Sequence, residues 1–172
     1  MRRLDCKYLL LSLLLLTGCV SVEMGGGEDR VVSYVFTDAR PAMTSQPTQL
    51  PATLIIQSLD GDPLANSLSI AYSRNPGERE LYQLSRWNER PVSAMPRLLM
   101  QRLNSRGTYR SVAALGEGVG GDLGLGIGIE SIYHDASINP GNVRLIVRAD
   151  LIQRATRDLL ARRNFSAQDD LK

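Results

Sequence analysis

An alternating segment at residues 122–134 constrains the fold more than any other part of the sequence. Successive side chains of a β-strand point to opposite faces, so strict alternation with a period of two predicts a strand. Because glycine has no side chain, we expect another part of the chain to approach the glycine face closely. One face holds Leu123, Leu125, Ile127, Ile129 and Ser131, and the other holds Gly124, Gly126, Gly128 and Glu130.

Shorter β-rich segments lie on both sides of this strand. Residues 53–59 are almost continuously apolar, which predicts an interior strand covered on both faces. Two pairs of segments flank short turn sequences and predict β-hairpins. The hairpins are expected at residues 68–73 with 80–85 and at 142–154 with 159–165; a first strand is expected at 31–37, and a proline-containing loop at 38–51.

One helix is predicted between the strands. Ser93 is the expected N-cap, Pro96 falls in the expected first turn, and Gly107 is the expected stop. An apolar stripe of Met95, Leu98, Leu99 and Leu103 has helical spacing. Strands at both ends with a helix between them predict an α/β domain, a mixed sheet with helices packed on it.

The N-terminus has the features of a bacterial export signal. Arg2, Arg3 and Lys7 precede a short apolar run at residues 8–16, which is too short to span a bilayer. The sequence Leu16-Thr17-Gly18-Cys19 then resembles the bacterial lipobox, in which the cysteine is lipidated and becomes the first residue of the mature chain. We therefore expect residues 1–18 to be a lipoprotein signal peptide and Cys19 to carry lipid. The alternative is an ordinary signal peptide with a cysteine near its cleavage site.

A lipid on Cys19 removes the need for a transmembrane helix, because several acyl chains together hold a protein at a membrane. Val20 and Ser21 follow the cysteine, whereas Asp there favours retention at the inner membrane in Gram-negative bacteria. The expected location is the outer membrane, on its periplasmic face. Residues 19–30 are polar and glycine-rich and predict a flexible tether; residues 31–166 form the predicted single domain, and 167–172 form a C-terminal tail.

The charge balance argues against nucleic acid as a partner. Residues 1–18 carry three of the 20 basic residues and one of the 18 acidic ones, which leaves 17 of each sign. A nucleic-acid-binding domain is expected to be strongly basic instead. The only cysteines, Cys6 and Cys19, are the expected signal and lipid positions, so no thiol remains for a structural metal site.

No catalytic or cofactor signature is found, and we predict a protein that is not an enzyme and needs no cofactor. Residues 116–121 satisfy G-x-G-x-x-G, but a strand rather than a helix is expected to follow, which contradicts a dinucleotide site. His134 is the only histidine. It fits a Ser/His/Asp triad only formally, since no G-x-S-x-G sequence is present, and a hydrogen-bonded structural role is the simpler interpretation.

The most distinctive patch lies at residues 80–91 and holds the only tryptophan. Tyr82, Arg86 and Trp87 are of the residue types that anchor protein interfaces, so they are the candidate partner-binding residues. The alternative for Trp87 is that it fills the core where the strand leads into the helix. The two interpretations are compatible.

The order of these elements resembles a known family, the ABC-type transport auxiliary lipoproteins, also described as PqiC-like. The resemblance covers most of residues 31–166. Its most specific part is the spacing Tyr82-x4-Trp87-x3-Pro91 before the helix. The other matching segments are the lipobox, Tyr34, residues 70–72, 95–103, 107–112, 149–152 and 159–163.

This resemblance implies a fold like that of anticodon-binding domains and a role without catalysis. It implies that the protein docks an MCE-domain subunit of an ABC lipid transporter, which moves phospholipid or other apolar substrates across the envelope. It also implies that the protein can form a homo-oligomer. Family members commonly continue into a C-terminal helix. This sequence stops at Lys172, so we expect that covering helix to be missing and one face of the sheet to be exposed. The alternative function is an envelope lipoprotein with a structural or assembly role unrelated to lipid transport.

Overall fold

A computed structural model describes residues 30–38 and 49–170. The predicted signal peptide, Cys19, nearly all of the tether and most of the predicted loop at 38–51 lie outside the described residues. From Val31 onward the chain forms one compact unit. Its elements are β1 (Val32–Tyr34), β2 (Leu50–Ser58), a 3-10 helix (Pro63–Asn66), β3 (Ser69–Ser73), β4 (Glu80–Trp87), α1 (Pro91–Arg106), β5 (Tyr109–Ala114), β6 (Leu123–Asp135), β7 (Asn142–Gln153) and β8 (Leu159–Asp170).

All eight strands of the described residues belong to one mixed sheet, and β6 is its centre. β7 pairs antiparallel with β6 along its whole length, and β8 pairs antiparallel with β7. On the other side of β6, two strands share its length: β2 pairs parallel with the first half, and β3 pairs parallel with the end. β5 lies parallel beyond β2, and β4 and β1 follow β3. The predicted α/β class and both predicted hairpins are confirmed.

The glycine face of β6 is in close contact with the chain that leaves β2. A Cβ atom added at Gly126 would come within 2.7–2.9 Å of the side chain of Leu59, and one at Gly128 would lie 3.3 Å from the carbonyl oxygen of Asp60. The main chain of β6 also holds this segment, since Ile127 O accepts from Leu59 N at 2.8 Å. The predicted close approach is confirmed, and residues 59–61 are what approaches.

The opposite face of the sheet packs against α1 and forms the main core. Leu54, Ile56, Val112 and Ile127 are its buried centre, and Met95, Leu99, Met100 and Leu103 of the helix cover it. Leu54, Ile55 and Ile56 are each at most 2% exposed. Because consecutive residues of a strand face opposite sides, β2 is covered on both faces, as predicted.

The helix begins earlier than expected, so the prediction of Ser93 as its N-cap is wrong. Arg90 is the N-cap and Pro91 is the first helical residue, a position where proline is favoured because its fixed φ suits the helix and its missing N–H is not needed. Pro96 therefore lies inside the helix and deprives the carbonyl of Val92 of its helical donor. The hydroxyl of Ser58 donates to that oxygen at 2.9 Å instead. Gly107 ends the helix in the left-handed region, as predicted.

Residues 167–170, predicted to begin a C-terminal tail, are part of β8. The strand runs on to Asp170 because every residue of β7, from Ile152 back to Asn142, has a partner in it. The domain thus reaches beyond the predicted boundary at residue 166. All the side chains described in β8 are exposed.

We expect Gly61→Ala to destabilise the fold. A Cβ atom at Gly61 would collide with the main-chain carbonyl of Ile129, which is held in the sheet and cannot move aside. Forcing in the methyl group should lower the free energy of unfolding by about 1–3 kcal/mol. Urea denaturation measures the change. Gly120→Ala is the control, because a Cβ atom there meets no atom within 4 Å; equal effects of the two substitutions would contradict the close approach.

Candidate interaction surface

The three candidate partner-binding residues lie on β4, between β3 and the edge strand β1. β4 contains an irregularity: Ala71 is opposite Leu81, but Ser69 is opposite Arg86. Two steps along β3 therefore match five along β4, so β4 holds three extra residues in this interval. Such a bulge changes which face each later side chain occupies.

Trp87 points towards the interior on the helix side of the sheet. Its ring stacks on Phe36, with ring centroids 4.5 Å apart, and packs against the buried Ala65, Ile129 and Ile132. The interpretation in which Trp87 fills the core where β4 leads into α1 therefore matches the structure. A partner would contact little of this side chain.

Tyr82 lies at the centre of an aromatic cluster on the same side. Its ring is 4.5 Å from that of Tyr72, and its hydroxyl forms a hydrogen bond of 2.6 Å with Nδ1 of His134. Tyr34 of β1 is opposite Trp87 in the parallel β1–β4 pair, so it lies on the same side of the sheet. We call Tyr34, Tyr72, Tyr82 and His134 the tyrosine surface. Tyr34 is 50% exposed and Tyr82 is 36% exposed, so a partner can reach both rings.

Two charged residues, Arg74 and Glu80, border the tyrosine surface. The hydroxyl of Tyr72 donates to a carboxylate oxygen of Glu80 at 2.5 Å, and this bond raises the pKa of Tyr72. Burial raises the pKa of Tyr82, against the lowering effect of the nearby Arg74 charge. The Arg74 guanidinium lies 4.9 Å from the Tyr72 ring centroid and 3.5 Å from Glu80. Both phenols therefore remain protonated at neutral pH.

Arg86 does not join the tyrosine surface. It precedes Trp87 in the strand, so its side chain leaves from the opposite face, where its Nε donates to the hydroxyl of Ser33 at 3.1 Å. The sequence patch is thus divided by the sheet: Tyr82 is exposed on one face and Arg86 on the other, and Trp87 packs on the core. Sequence spacing alone missed Tyr34 and Tyr72, which come from β1 and β3.

His134 has the structural role favoured by the sequence. Its Nδ1 bonds to Tyr82, and its Nε2 is buried without a hydrogen-bond partner among the described residues. Within residues 30–38 and 49–170, no three His, Cys, Asp or Glu side chains lie together as a metal site requires. The glycine loop at 116–121 leads into β6, so the strand that was expected to follow it is confirmed.

A charged cluster on β7 and β8 is the other prominent group, and the sequence did not indicate it. Arg162 binds both carboxylate oxygens of Asp150 at 2.7 Å. This bidentate bond lowers the pKa of Asp150 and raises that of Arg162. Arg148 pairs with Glu130 at 2.9 Å beside it. Asp150 and Arg162 are twelve residues apart in the sequence, but they are direct cross-strand partners in the β7–β8 hairpin.

The fold and surface define a class: a mixed α/β domain whose most distinctive surface is a cluster of tyrosines. The family model of the ABC-type transport auxiliary lipoprotein component matches residues 34–172. The chain therefore belongs to this family. The family is described as an auxiliary part of a transport system rather than as an enzyme.

Two solved structures share the fold. A crystal structure of a Xanthomonas campestris protein of the DUF330 family superposes with a TM-score of 0.72 and 17% identity, over 80% of this chain and 77% of that one. A crystal structure of an uncharacterized protein gives a TM-score of 0.53 and 15% identity, over 67% and 71% of the two chains. At these identities the likeness concerns the fold alone. No curated protein matches the chain.

Membership of a lipoprotein family indicates a membrane-anchored protein of the cell envelope. Among the described residues, no helix has both the length and the apolar character needed to cross a membrane.

Trp87 and Arg86 should respond differently to truncation. Trp87→Ala removes a ring from the core and should lower the free energy of unfolding by about 2–4 kcal/mol. Arg86→Ala removes an exposed side chain and should change it by less than about 0.5 kcal/mol. Thermal and urea unfolding of both variants measure the difference. A Trp87→Ala chain as stable as Arg86→Ala would contradict the core position of the tryptophan.

Proposed function

We propose that this chain is a lipid-anchored docking subunit of an ABC-type lipid transporter, and that its partner is the subunit carrying the MCE domain. The observation that carries the proposal is the match of residues 34–172 to the family of ABC-type transport auxiliary lipoproteins. A transport system of this kind needs the auxiliary subunit to bind another component. The contribution of the chain is then placement and binding, with no chemical step of its own.

The tyrosine surface is the proposed docking site. Tyrosine side chains combine a large apolar ring with a polar hydroxyl and lose little conformational entropy on binding, which suits them to interfaces. Here the rings are held before any partner arrives, because Tyr82 bonds to His134 and Tyr72 bonds to Glu80. The exposed side chain of Val32, two residues before Tyr34 in β1 and so on the same face, extends the contact area.

Arg86 and Trp87 take different parts in this proposal. Arg86 is exposed beside β1 and is a contact for a partner that wraps around the sheet edge. Trp87 supports the site from within, since it fixes the position at which β4 passes into α1. The sequence-based choice of Tyr82 as a contact residue is retained.

Anchoring is proposed to occur through lipid on Cys19, at the periplasmic face of the outer membrane. The lipobox-like sequence before Cys19 and the residues Val20 and Ser21 support this placement. Residues 19–30 then separate the lipid from the domain by at most about 3.3–3.6 Å per residue when fully extended. A docking domain on such a tether can bind a partner a short distance from the membrane surface.

The anchor is tested by mass spectrometry of the mature N-terminus. We expect the chain purified from membranes to begin at Cys19 and to carry the added mass of its acyl chains. Cys19→Ala should abolish the modification and release the protein from the membrane fraction. A wild-type chain that begins at another residue, or carries no lipid, would show that the ordinary signal peptide was the correct alternative.

Docking is tested by co-purification with the MCE-domain subunit from detergent-solubilised membranes. Tyr82→Ala should reduce the recovered partner about tenfold, the effect expected of an interface anchor worth about 1.4 kcal/mol. Tyr133→Ala is the matched control, because Tyr133 precedes His134 in β6 and so faces the other side of the sheet, under Arg79. It should leave recovery within about twofold, which is under 0.5 kcal/mol.

Failure of the wild-type chain to recover an MCE-domain subunit would count against the lipid-transport role and favour the alternative, a structural or assembly lipoprotein. Equal loss in Tyr82→Ala and Tyr133→Ala would instead reject the tyrosine surface as the contact. The likeness to anticodon-binding domains remains a prediction from the family resemblance, and superposition on such domains would test it.

A further inference from the structure

The outer edge of β8 is the longest unpaired strand edge among the described residues. The sheet has three edge strands there: β1 has three residues, β5 has six and β8 has twelve. An edge strand presents a row of main-chain N–H and C=O groups that another strand can bind. Proteins usually protect such edges with proline, charged side chains, bulges or a covering element. The twelve residues of β8 include no proline; their charged residues are two arginines and two aspartates, and the side chains described are all exposed.

The charges along β8 are arranged so that the strand is complementary to itself. Arg163 lies in the first half and Asp169 near the end, and both are exposed. Neither makes an ion pair with another described residue, whereas Arg162 is already occupied by Asp150. A second copy of the strand that runs antiparallel reverses the order of charges. Arg163 of each copy then meets Asp169 of the other.

We propose that two copies of this chain pair through β8 in an antiparallel arrangement with two-fold symmetry. A two-fold interface is built from the same surface on both copies, so one strand edge is sufficient. The register that places Arg163 opposite Asp169 also places Ser166 opposite Ser166 on the two-fold axis. Two neighbouring two-fold registers, with Phe165 or Ala167 on the axis, place no arginine opposite an aspartate among residues 159–169.

The same register gives the apolar residues of β8 a partner. Phe165 faces Ala167 of the second copy, and the two phenylalanines become diagonal neighbours, a separation that aromatic rings can bridge. Phe165 is 56% exposed in the single chain, and its cross-strand neighbour in β7 is Val147. The pairing would make a continuous sheet of both copies. This inference does not depend on the proposed transporter role, since it concerns β8 and a second copy alone.

Site-specific disulfide formation tests the register in the full chain, purified in detergent. Opposed residues of an antiparallel pair have Cα atoms about 4.5–5.5 Å apart, a distance that a disulfide spans. Ser166→Cys should form a disulfide-linked dimer as the main product under mild oxidation. Asn164→Cys alone should not, but its equimolar mixture with Gln168→Cys should. The parent chain gives the background, since Cys6 is expected to leave with the signal peptide and Cys19 to be blocked by lipid.

A charge exchange tests the complementarity separately. Arg163→Asp should raise the dimer dissociation constant about tenfold, because two attractive cross-strand pairs become repulsive. The double variant Arg163→Asp with Asp169→Arg should restore the wild-type value, measured by sedimentation equilibrium. If Ser166→Cys cross-links no more than Asn164→Cys, or the double variant is not restored, the proposal is overturned. If the edge of β8 instead binds a strand of another protein, Ser166→Cys would cross-link no more than Asn164→Cys.

Discussion

Close packing of the main chain against the glycine face of β6 is the constraint on which the rest of the structure depends. Because Gly126 and Gly128 have no side chains, residues 59–61 can lie directly on the sheet and continue into the 3-10 helix. That helix supplies Ala65 to the cluster with Ile129 and Ile132, on which Trp87 packs. The position of β4, and with it the tyrosine surface, follows from a contact made on another strand.

Much of this architecture can be predicted from the sequence where the pattern is local. Alternation at residues 122–134 predicts β6, turn residues predict the hairpins, and a continuous apolar run predicts that β2 is covered on both faces. The parallel pairings of β2 and β3 with β6 are not visible in this way, because the paired residues are about sixty to seventy positions apart in the sequence. Local patterns contain no information about which distant strand is a neighbour.

The site was predicted less well than the fold, for a specific physical reason. The bulge in β4 changes the faces of its side chains between Leu81 and Arg86, so alternation cannot assign Tyr82 and Trp87 to the same side. Tyr34 and Tyr72 join Tyr82 only after two other strands have paired. In the helix, Ser93 is a favourable cap by residue type, but Pro91 at the first position and the bond from Ser58 to the carbonyl of Val92 allow an earlier start.

The shared use of β6 by two parallel strands has a consequence for how the chain folds. Proteins are made from the N-terminus, so β1 to β5 are complete before β6 exists. β2 therefore has only its parallel partner β5 until then, and strand pairs distant in sequence form slowly. Leu54 and Ile56 can pack on Val112 and α1 before then, but Ile127 joins their cluster only when β6 has been made, so the unfinished chain leaves part of this apolar surface uncovered.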